Sequence, residues 1–428
     1  MASGRFYGHS HDPVPYNPRQ PNCCELAHGG AAVARVDGRV VFVEGAIPGE
    51  TVEAEVTHRR KDFWRAQAIS VVEPAQARVE PPCPFFKLGC GGCQLQHVGY
   101  EEQLAQKRGV LHHQLEQAKL DFPFDRIDAL GMDDPWRYRL RGEFHVLHRD
   151  GTVALGFYRK HTYRTLPIDA CLIHAEAIEH ALPAFAHAAQ DPAAENVTAL
   201  QFTWAPGTND LLWAPYPPGT ADPGFGARAA GWIPELNLND DSIGIDDAGR
   251  HFRVRPEVFV QVNARQRNVL YERAVAYSAL QPTDQVVDAY AGIGMLTARL
   301  GERSHLVTAI EESPYAVRLG ELSMQLNGVD NVRYRRGKVE DIVPSLDERV
   351  DVLVLDPPRA GCAEAAVEAM ANLRPERIIY ISCEPSTLAR DVSRFSAGGR
   401  YTLAEVAFVD MFPQTYHIEA VAKLQRTA

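Results

Sequence analysis

Near the amino-terminal end of the chain, apolar and polar residues alternate in short runs that glycine-containing turns separate. The alternating runs lie at residues 33–36, 40–43, 51–56 and 66–72. An alternation with a period of two is typical of a β-strand with one buried face, and several short strands at this spacing favour a small closed sheet. The pattern therefore predicts a small β-barrel over residues 23–75.

From residue 285 onward, apolar runs alternate with stretches of helical periodicity. The apolar runs are 286–287, 306–310, 332–334, 352–355 and 378–381. Strands that alternate with helices are typical of a parallel sheet, in which ligands bind at the carboxyl ends of the strands. The carboxyl-terminal part is therefore predicted to be an α/β domain with a ligand site at one edge of its sheet.

The chain between these regions mixes several patterns. Residues 76–100 are rich in proline, cysteine and glycine, which predicts a loop-dominated insert, and apolar residues at helical spacing follow. Residues 125–260 combine short strands and turns. We therefore expect four parts: a flexible tail over 1–22, a barrel over 23–75, a central domain from 76–100 and 125–260, and an α/β domain from 101–124 and 261–428.

Charge and hydropathy exclude some classes of protein. The 428-residue chain has a formal net charge of −11, so any contact with nucleic acid must depend on a local basic patch. It has no run of about 18 apolar residues, and its first 22 residues lack the apolar segment of a signal peptide. We expect a cytoplasmic monomer without a membrane span.

One local patch combines cations with aromatic rings. The stretch HRRKDFWR at residues 58–65 contains four Lys or Arg residues and two aromatic residues. Cations can contact phosphates while aromatic rings stack on bases, which makes Lys61, Phe63 and Trp64 candidate contacts for an oligonucleotide. The alternative is an ordinary solvated hairpin tip.

A glycine-containing loop follows the first strand of the α/β domain, in the stretch DAYAGIGMLT at 288–297. Gly292 permits a sharp turn and close approach of a ligand, but Thr297 occupies the place of the third glycine of a dinucleotide fingerprint. Glu311, after the next strand, can accept both hydroxyls of a ribose. These features favour S-adenosylmethionine, a nucleoside cofactor without phosphate, with NAD as the alternative.

Three further side chains with catalytic potential lie at or near ends of strands in the same sheet: Asp356, Cys383 and Glu419. A thiolate that adds to carbon 6 of a pyrimidine makes carbon 5 nucleophilic toward a methyl donor, and a base then removes the proton on carbon 5. Cys383 is the candidate nucleophile and Glu419 the candidate base. The alternatives are a buried packing cysteine and a surface glutamate on an edge strand.

A second group of cysteines lies in the insert. The stretch CPFFKLGCGGCQLQH contains Cys83, Cys90 and Cys93, and Cys171 in IDACLIH is the best candidate for a fourth ligand. Four thiolates suit either a [4Fe–4S] cluster or a structural zinc ion, and the spacing alone leaves both open.

Several motifs together resemble those of a known family. They are FVQVN (259–263), DAYAGIG (288–294), DPPRAG (356–361), SCEPSTLARD (382–391) and DMFPQTYHIE (410–419). The chain after residue 22 resembles the S-adenosylmethionine-dependent RNA uracil-C5 methyltransferases, which make 5-methyluridine. The resemblance implies a Rossmann-like class I methyltransferase domain, with Cys383 as nucleophile and Glu419 as base. It also implies cofactor contacts from Gln261, Tyr290, Glu311 and Asp356.

The resemblance extends to the other parts of the chain. The predicted barrel resembles a TRAM domain, a small RNA-binding barrel. Family members with the CGGCQLQH stretch hold a [4Fe–4S] cluster, which implies the same cluster at Cys83, Cys90, Cys93 and Cys171. The combination of both features is similar to enzymes for 23S ribosomal RNA, so this RNA is the expected partner and the tRNA T-loop the alternative. We expect the RNA to be positioned by the barrel and by Arg137, Arg139 and Arg141.

The sequence departs from the family pattern at two positions. Glu384 follows the candidate nucleophile where the family usually has Asn, and its charge should raise the pKa of the Cys383 thiol unless Glu384 points away or pairs with Arg359 or Arg390. Met295 stands where 23S ribosomal RNA relatives often have Asn, which predicts a weaker cofactor hydrogen bond.

Two rival functions remain open. An RNA cytosine-C5 methyltransferase uses the same thiol addition, but typically has a Pro-Cys motif on the strand where Arg359 here follows Asp356-Pro357-Pro358. The other rival is a non-catalytic RNA-binding iron–sulfur protein. The joint presence of Cys383, Glu419 and the glycine loop counts against it.

Overall fold

The computed structural model describes residues 25–149 and 151–427. The tail expected over residues 1–22 lies outside the described residues. Within the described residues, three larger sheets and a two-stranded hairpin organise the chain. None of the described helices combines the length and the hydropathy that crossing a membrane requires.

The amino-terminal sheet contains the strands that the alternating pattern predicts. Its members are β1 (Glu25–Leu26), β2 (Ala32–Val36), β3 (Arg39–Glu44), β4 (Thr51–Arg59) and β5 (Phe63–Glu73). They pair in the order β1-β2-β3-β5-β4. Alternate residues such as Ala32, Ala34, Val41 and Val43 fill the core between the strands, because successive side chains of a strand point to opposite faces.

A second sheet occupies the middle of the chain, after α1 (Pro84–Lys87), α2 (Tyr100–Gln117) and β6 (Ile127–Leu130). Its strands are β7 (Arg141–Arg149), β8 (Thr152–Tyr158), β9 (Thr165–Pro167), β10 (Ala199–Ala205), β11 (Asp210–Tyr216) and β12 (Asn237–Asn239), in the order β12-β11-β10-β7-β8-β9. Helices α3 (Glu176–Ala188) and α4 (Phe225–Ala230) pack against it around an aromatic core. Strands β13 (Ile243–Asp247) and β14 (Arg250–Val254) form the separate hairpin.

The carboxyl-terminal sheet has eight strands in the order β17-β16-β15-β18-β19-β21-β20-β6. The strands not yet named are β15 (Gln285–Ala289), β16 (Leu306–Glu311), β17 (Val332–Arg336), β18 (Val352–Leu355), β19 (Arg377–Ser382), β20 (Tyr401–Val409) and β21 (Glu419–Arg426). The helices are α5 (Ala264–Ser278), α6 (Met295–Gly301), α7 (Pro314–Leu326), α8 (Val339–Ile342), α9 (Glu364–Asn372) and α10 (Pro385–Ser396). Strands β15 to β19 are parallel, whereas β21 runs antiparallel to both of its neighbours.

Both faces of this sheet are apolar, as expected for parallel strands that helices cover on both sides. In β18, Leu353 and Leu355 join the core on one face, while Val352 and Val354 join the core on the other. The uninterrupted apolar run at 352–355 therefore reflects burial on both sides of one strand.

Strand β6 differs from the expected division of the chain. The pattern assigns its residues to the central domain, but Ile127–Leu130 pairs with β20 at the edge of the eight-stranded sheet. A four-residue strand is too short to show a periodicity, so only its tertiary partner decides which sheet it joins.

Candidate active site

A cavity of about 880 Å³ opens at the carboxyl ends of β15, β16, β18 and β19. Residues that the sequence singled out for catalysis or cofactor binding line it together: Gln261, Tyr290, Gly292, Glu311, Asp356, Cys383 and Glu419. Tyr290, Glu311, Asp356 and Cys383 lie at or just after the carboxyl ends of four parallel strands, which the topology brings to one edge of the sheet. Gln261 precedes α5, and Glu419 reaches the same edge as the first residue of the antiparallel β21. The cavity has the size of a small-molecule site.

The loop after β15 fixes the carboxylate of Glu311. The backbone N–H of Gly292 donates to Glu311 Oε2 over 2.9 Å, and the N–H of Ser313 donates to Glu311 Oε1 over 2.8 Å. Gly292 has a φ of 56°, and no atom lies within 4 Å of where its Cβ would be. The carboxylate is thus held in place beside a backbone segment that a ligand can approach closely.

A network of buried polar side chains holds Tyr290 in place. Its φ of 67° is in the left-handed region, an uncommon conformation for a tyrosine. The Tyr290 side chain interacts with Cys362, whose Sγ lies 3.6 Å from the Tyr380 hydroxyl. The Tyr380 hydroxyl donates to Asp391 Oδ2 over 2.8 Å. This network fixes the tyrosine at the cavity wall.

Cys383 and Glu419 lie at the end of an antiparallel ladder. Ser382 of β19 pairs with Ala420 of β21, so Cys383 and Glu419 occupy the next position beyond this pair. Burial, Glu419 and Asp356 raise the pKa of the Cys383 thiol to about 12, while Arg359 lowers it. Burial and then Asp356 raise the pKa of Glu419, which is only 2% exposed, well above its ordinary value.

Sequence reasoning missed Asp288. Burial raises the pKa of this carboxyl to about 7, and the Thr297 hydroxyl donates to its Oδ2 over 2.5 Å. Burial and then Asp288 raise the pKa of Asp356 to about 7 as well. A signal was available, because Asp288 is a carboxylate near the end of a strand that otherwise reads as apolar.

The loop 410–417, which we call the connecting loop, completes the cavity wall with Phe412 and His417. Two buried charges anchor it, since Lys107 Nζ of α2 lies 2.7 Å from Asp410 Oδ1. The backbone carbonyl of Gln414 accepts hydrogen bonds from the N–H groups of Gln94 and Leu95. The connecting loop therefore joins the cavity both to α2 and to the segment after Cys93.

Glu384 pairs with Arg359, one of the two arginines that the sequence offers as partners. Its Oε2 lies 3.6 Å from Arg359 Nη2, and its Oε1 lies 3.4 Å from His28 Nδ1. Arg390 instead binds Asp391, with 2.8 Å between Nε and Oδ1.

Met295 also lies at this site. It lines the cavity with only 4% of its surface exposed. Its thioether is at best a weak acceptor, and the weaker cofactor hydrogen bond stays a prediction.

A second cavity, of about 310 Å³, is lined by the predicted ligands Cys83, Cys90, Cys93 and Cys171. Burial raises the pKa of Cys93 and raises that of Cys171 to about 11, and in each case other cysteines of the group add to the rise. Among the described residues, no group of three or more His, Cys, Asp or Glu side chains is arranged to hold a single metal ion. The four thiols therefore surround a shared space and do not converge on one point.

The predicted RNA contacts of the amino-terminal sheet lie at β5 and the turn before it. Lys61 is exposed in this turn. The guanidinium groups of Arg39 and Arg59 lie 4.6 and 5.2 Å from the centre of the Trp64 ring. Phe63 contacts Phe42 edge-on at 5.6 Å. Cations and rings thus share one surface.

The three arginines predicted to contact RNA are engaged inside the protein. Arg137 Nη1 donates to Cys171 O over 3.1 Å and to Glu179. Arg141 Nη2 donates to the carbonyl of Pro256 over 2.8 Å, and Arg139 donates to the carbonyl of Arg141. These bonds favour a structural role for Arg137 and Arg141, whereas Arg139 also lines both cavities.

Exposed cations and rings occur instead on residues 158–164, which we call the tyrosine hairpin. Tyr163 is 91% exposed and meets Tyr158 edge-on at 5.7 Å, while Tyr158 stacks on His145 at 3.8 Å. Arg159 and Arg164 are exposed beside them. The signal in the sequence was the stretch YRKHTYR, which mixes aromatic residues with cations.

Models of two protein families match the chain. The model described as tRNA (uracil-5-)-methyltransferase matches residues 235–427. The model of the TRAM domain matches residues 25–69, which correspond to the amino-terminal sheet.

Whole-length relatives agree with these matches. An uncharacterized RNA methyltransferase of Halalkalibacterium halodurans is 32% identical, with 94% of this chain and 95% of the relative covered. One from Listeria innocua is also 32% identical, with 94% and 96% covered. The crystal structure of Pyrococcus abyssi tRNA (uracil-54, C5)-methyltransferase in complex with S-adenosyl-L-homocysteine shares the fold, with a TM-score of 0.72, 22% identity, and 95% of this chain and 100% of that chain covered. The chain belongs to the family of S-adenosylmethionine-dependent RNA methyltransferases that act on carbon 5 of uracil, and it carries an amino-terminal TRAM domain.

Proposed function

We propose that this enzyme methylates a uridine through a covalent adduct between Cys383 and carbon 6 of the base, with Glu419 as general base. The observation that carries the proposal is that Cys383, Glu419 and the predicted cofactor contacts line one cavity. A uridine in folded RNA is stacked, so it must leave its stack to reach Cys383.

The chemical steps follow from these side chains. The Cys383 thiolate adds to carbon 6, which places an electron pair on carbon 5 and the carbonyl conjugated with it. S-adenosylmethionine supplies the methyl group that carbon 5 takes up. Glu419 then removes the proton from carbon 5, the double bond between carbons 5 and 6 forms again, and the thiolate leaves. A buried carboxylate with a raised pKa is a stronger base than an exposed one, which suits Glu419 to this step.

The cofactor contacts are proposed on the same cavity. Glu311 is oriented by two backbone N–H groups, so its oxygens are fixed to accept ribose hydroxyls. Gln261, Tyr290, Gly292 and Asp356 complete the proposed set. The Pyrococcus abyssi enzyme with the same fold was solved with S-adenosyl-L-homocysteine, which supports a cofactor site of this kind.

We also propose that Cys83, Cys90, Cys93 and Cys171 hold a [4Fe–4S] cluster. The four thiols surround one cavity, where an iron–sulfur cluster would neutralise the thiolates and occupy the space between them. In addition, the buried His174 Nε2, on a residue that lines this cavity, has no hydrogen-bond partner among the described residues. The cluster would stabilise the fold and take no part in methyl transfer.

The proposed substrate is 23S ribosomal RNA, on the basis of the TRAM domain together with the cysteine cavity. A second candidate, the tRNA T-loop, is favoured by the description of the matching family model and by the Pyrococcus abyssi tRNA (uracil-54, C5)-methyltransferase. Since the family model is described for uracil, methylation of cytosine is the weaker alternative.

The proposed RNA path combines the surface of the TRAM domain around Lys61, Phe63 and Trp64 with the tyrosine hairpin. Both surfaces present exposed cations beside aromatic rings, which is the pattern of single-stranded RNA recognition. His161 of the tyrosine hairpin pairs with Glu44 of β3 at 2.9 Å, so the two surfaces are neighbours.

The test is nucleoside mass spectrometry after incubation with labelled S-adenosylmethionine. Anaerobically purified protein receives unmodified 23S ribosomal RNA or tRNA in parallel reactions. Label in 5-methyluridine of the ribosomal RNA alone is the expected result. Label in 5-methyluridine of tRNA alone would show that tRNA is the substrate and would leave the proposed reaction unchanged. Label in 5-methylcytidine would overturn the uridine assignment.

A further inference from the structure

Glu384 joins three parts of the protein next to the candidate nucleophile Cys383. It directly follows Cys383 and is the N-cap residue of α10. Its carboxylate lies 3.6 Å from Arg359 of the DPPRAG loop and 3.4 Å from His28 of the TRAM domain. The Ser386 hydroxyl also donates to Glu384 Oε1 over 3.0 Å. Because the Glu384 side chain is only 16% exposed, these contacts limit its movement.

Arg359 brings a positive charge to the thiol. It lines the cavity, and its charge lowers the pKa of Cys383 against the effects of burial, Glu419 and Asp356. Its side chain is 56% exposed, and an arginine with this freedom samples many rotamers. A partner is needed to keep its guanidinium group near the cavity.

The first turn of α10 holds the Arg359 loop at two points. The Thr387 hydroxyl donates to the backbone carbonyl of Arg359 over 3.2 Å, while Glu384 contacts the guanidinium group. Backbone and side chain of Arg359 are thus both tied to the helix that starts next to Cys383.

His28 extends this network to the TRAM domain. It lies in the turn between β1 and β2, and its ring meets Tyr416 of the connecting loop edge-on at 5.7 Å. The TRAM domain therefore touches both the residue next to the candidate nucleophile and the connecting loop.

We propose that Glu384 is a positioning residue that holds the Arg359 guanidinium beside the Cys383 thiol and is itself anchored to the TRAM domain by His28. The inference rests on the proposed role of Cys383, but ionisation of the thiol can be measured without turnover. It gives the TRAM domain a part in arranging the active site.

The proposal and a simple charge effect predict opposite changes in the pKa of the Cys383 thiol when Glu384 is replaced. If Glu384 acted only as a nearby negative charge, its removal would lower the pKa of the Cys383 thiol. If it holds Arg359 in place, its removal raises that pKa, because the cation is released. Replacing Glu384 leaves the other charged or titratable side chains of this part of the cavity in place. These are Asp356 after β18, His417 of the connecting loop and Glu419 of β21.

The experiment measures the rate at which iodoacetamide alkylates Cys383 as a function of pH in the full-length protein, read from the Cys383 peptide by mass spectrometry. Below the thiol pKa, the rate falls about tenfold for each unit by which the pKa rises, because the thiolate is the reactive form. We expect Arg359→Gln to slow alkylation about tenfold and Glu384→Gln to slow it about threefold at the same pH.

Three further variants sharpen the result. Glu384→Asp keeps the charge and should stay near the original rate, and the double variant Arg359→Gln/Glu384→Gln should match Arg359→Gln alone. Glu302→Gln, which removes a carboxylate that pairs with Arg250 outside this cavity, is the matched control and should have no effect. Faster or unchanged alkylation of Glu384→Gln would overturn the proposal.

His28→Ala tests the anchor. We expect slower alkylation than in the original protein, by a smaller factor than for Glu384→Gln, and an unchanged rate would overturn the anchoring role of the TRAM domain. Unfolding is recognisable, since it would make all cysteine peptides react and speed alkylation of Cys383. Failure of the nucleophile assignment is separable, because Cys383→Ala would then still make 5-methyluridine whatever the alkylation series shows.

Discussion

The proposed catalytic cavity and the cysteine cavity are both lined by free cysteines, but they differ in which groups surround the sulfur atoms. Around Cys383 the strongest neighbours are carboxylates, Glu419 and Asp356, with Arg359 opposing them. Around Cys93 they are other thiols, of which Cys171 has the largest effect. A lone thiol beside a base suits reversible covalent chemistry, whereas a set of thiols around one space suits a metal cluster.

The two cavities also differ in how they are built. The proposed catalytic residues Cys383 and Glu419 lie at ends of regular strands, which the sheet places at one edge. The cysteines lie on loops that other segments must hold, and the N–H of Gly91 donates to the carbonyl of Tyr158 over 2.9 Å. The connecting loop lines the first cavity and accepts hydrogen bonds from the segment directly after Cys93, so it contacts the surroundings of both cavities.

The largest effect is expected from loss of the catalytic thiol. Cys383→Ala should reduce 5-methyluridine formation by on the order of 10⁴-fold or more, because Cys383 is the only cysteine among the described residues that line the cavity. Binding of S-adenosyl-L-homocysteine, measured by calorimetry, should persist. Formation of 5-methyluridine at the original rate in Cys383→Ala would mean that the thiol of Cys383 has no special role.

Removal of the base should stop the reaction after adduct formation. Glu419→Gln should lower turnover by about 10²- to 10⁴-fold, the usual contribution of a general base. Since the adduct cannot eliminate, an RNA–protein complex should accumulate and be visible on a denaturing gel. Glu405→Gln, on the neighbouring strand β20 and paired with Lys423, should turn over normally. Absence of the complex with turnover retained would assign the base elsewhere.

The link between the cavities can be broken at its buried ion pair. Lys107→Met leaves Asp410 buried without its cation, which should cost about 3–5 kcal/mol of the free energy of unfolding. Lys423→Met, which breaks the more exposed pair with Glu405, should cost less than about 1 kcal/mol. Denaturant unfolding measures both. Similar small losses in the two variants would show that Lys107 does not anchor the connecting loop.

A smaller effect is expected at the tyrosine hairpin. Tyr163→Ala should weaken RNA binding about tenfold, within the range of about 1–3 kcal/mol for one stacked base. Tyr216→Ala removes another exposed tyrosine, 57% accessible and outside the hairpin, as the control. Filter binding of RNA at fixed salt gives both values. Equal affinities of the two variants would remove the tyrosine hairpin from the RNA path.

The smallest effect concerns pH. Asp288 and Asp356 have pKa values raised to about 7, above the value of about 3.9 for an unfolded aspartate. The folded state therefore holds more protons between pH 4 and 7, so these groups make the protein less stable as pH rises through this window. In thermal unfolding, Asp288→Asn should reduce the loss of stability between pH 4 and 7. Asp128→Asn, which alters a half-exposed carboxylate, should leave this pH dependence as it is in the original protein. An unchanged pH dependence in Asp288→Asn would refute the raised pKa of Asp288.

Much of the fold could be predicted because short-range patterns reflect burial directly. The run 352–355 is apolar throughout and forms β18 at the centre of the sheet, and the alternating runs near the amino terminus form β2 to β5. The candidate site could be predicted for a related reason. In a parallel sheet, residues that follow separate strands share one edge, so their convergence requires only the strand order to be right.

Only the tertiary structure decided the features that depend on partners distant in the chain. It placed β6 in the eight-stranded sheet, engaged Arg137 and Arg141 inside the protein, and brought His28 to Glu384. A sequence pattern records whether a side chain prefers burial or solvent, but an arginine or a histidine has the same local pattern whether it meets RNA or a distant carboxylate. The choice between those partners is made when the domains pack together, since it depends on distances that the order of residues does not contain.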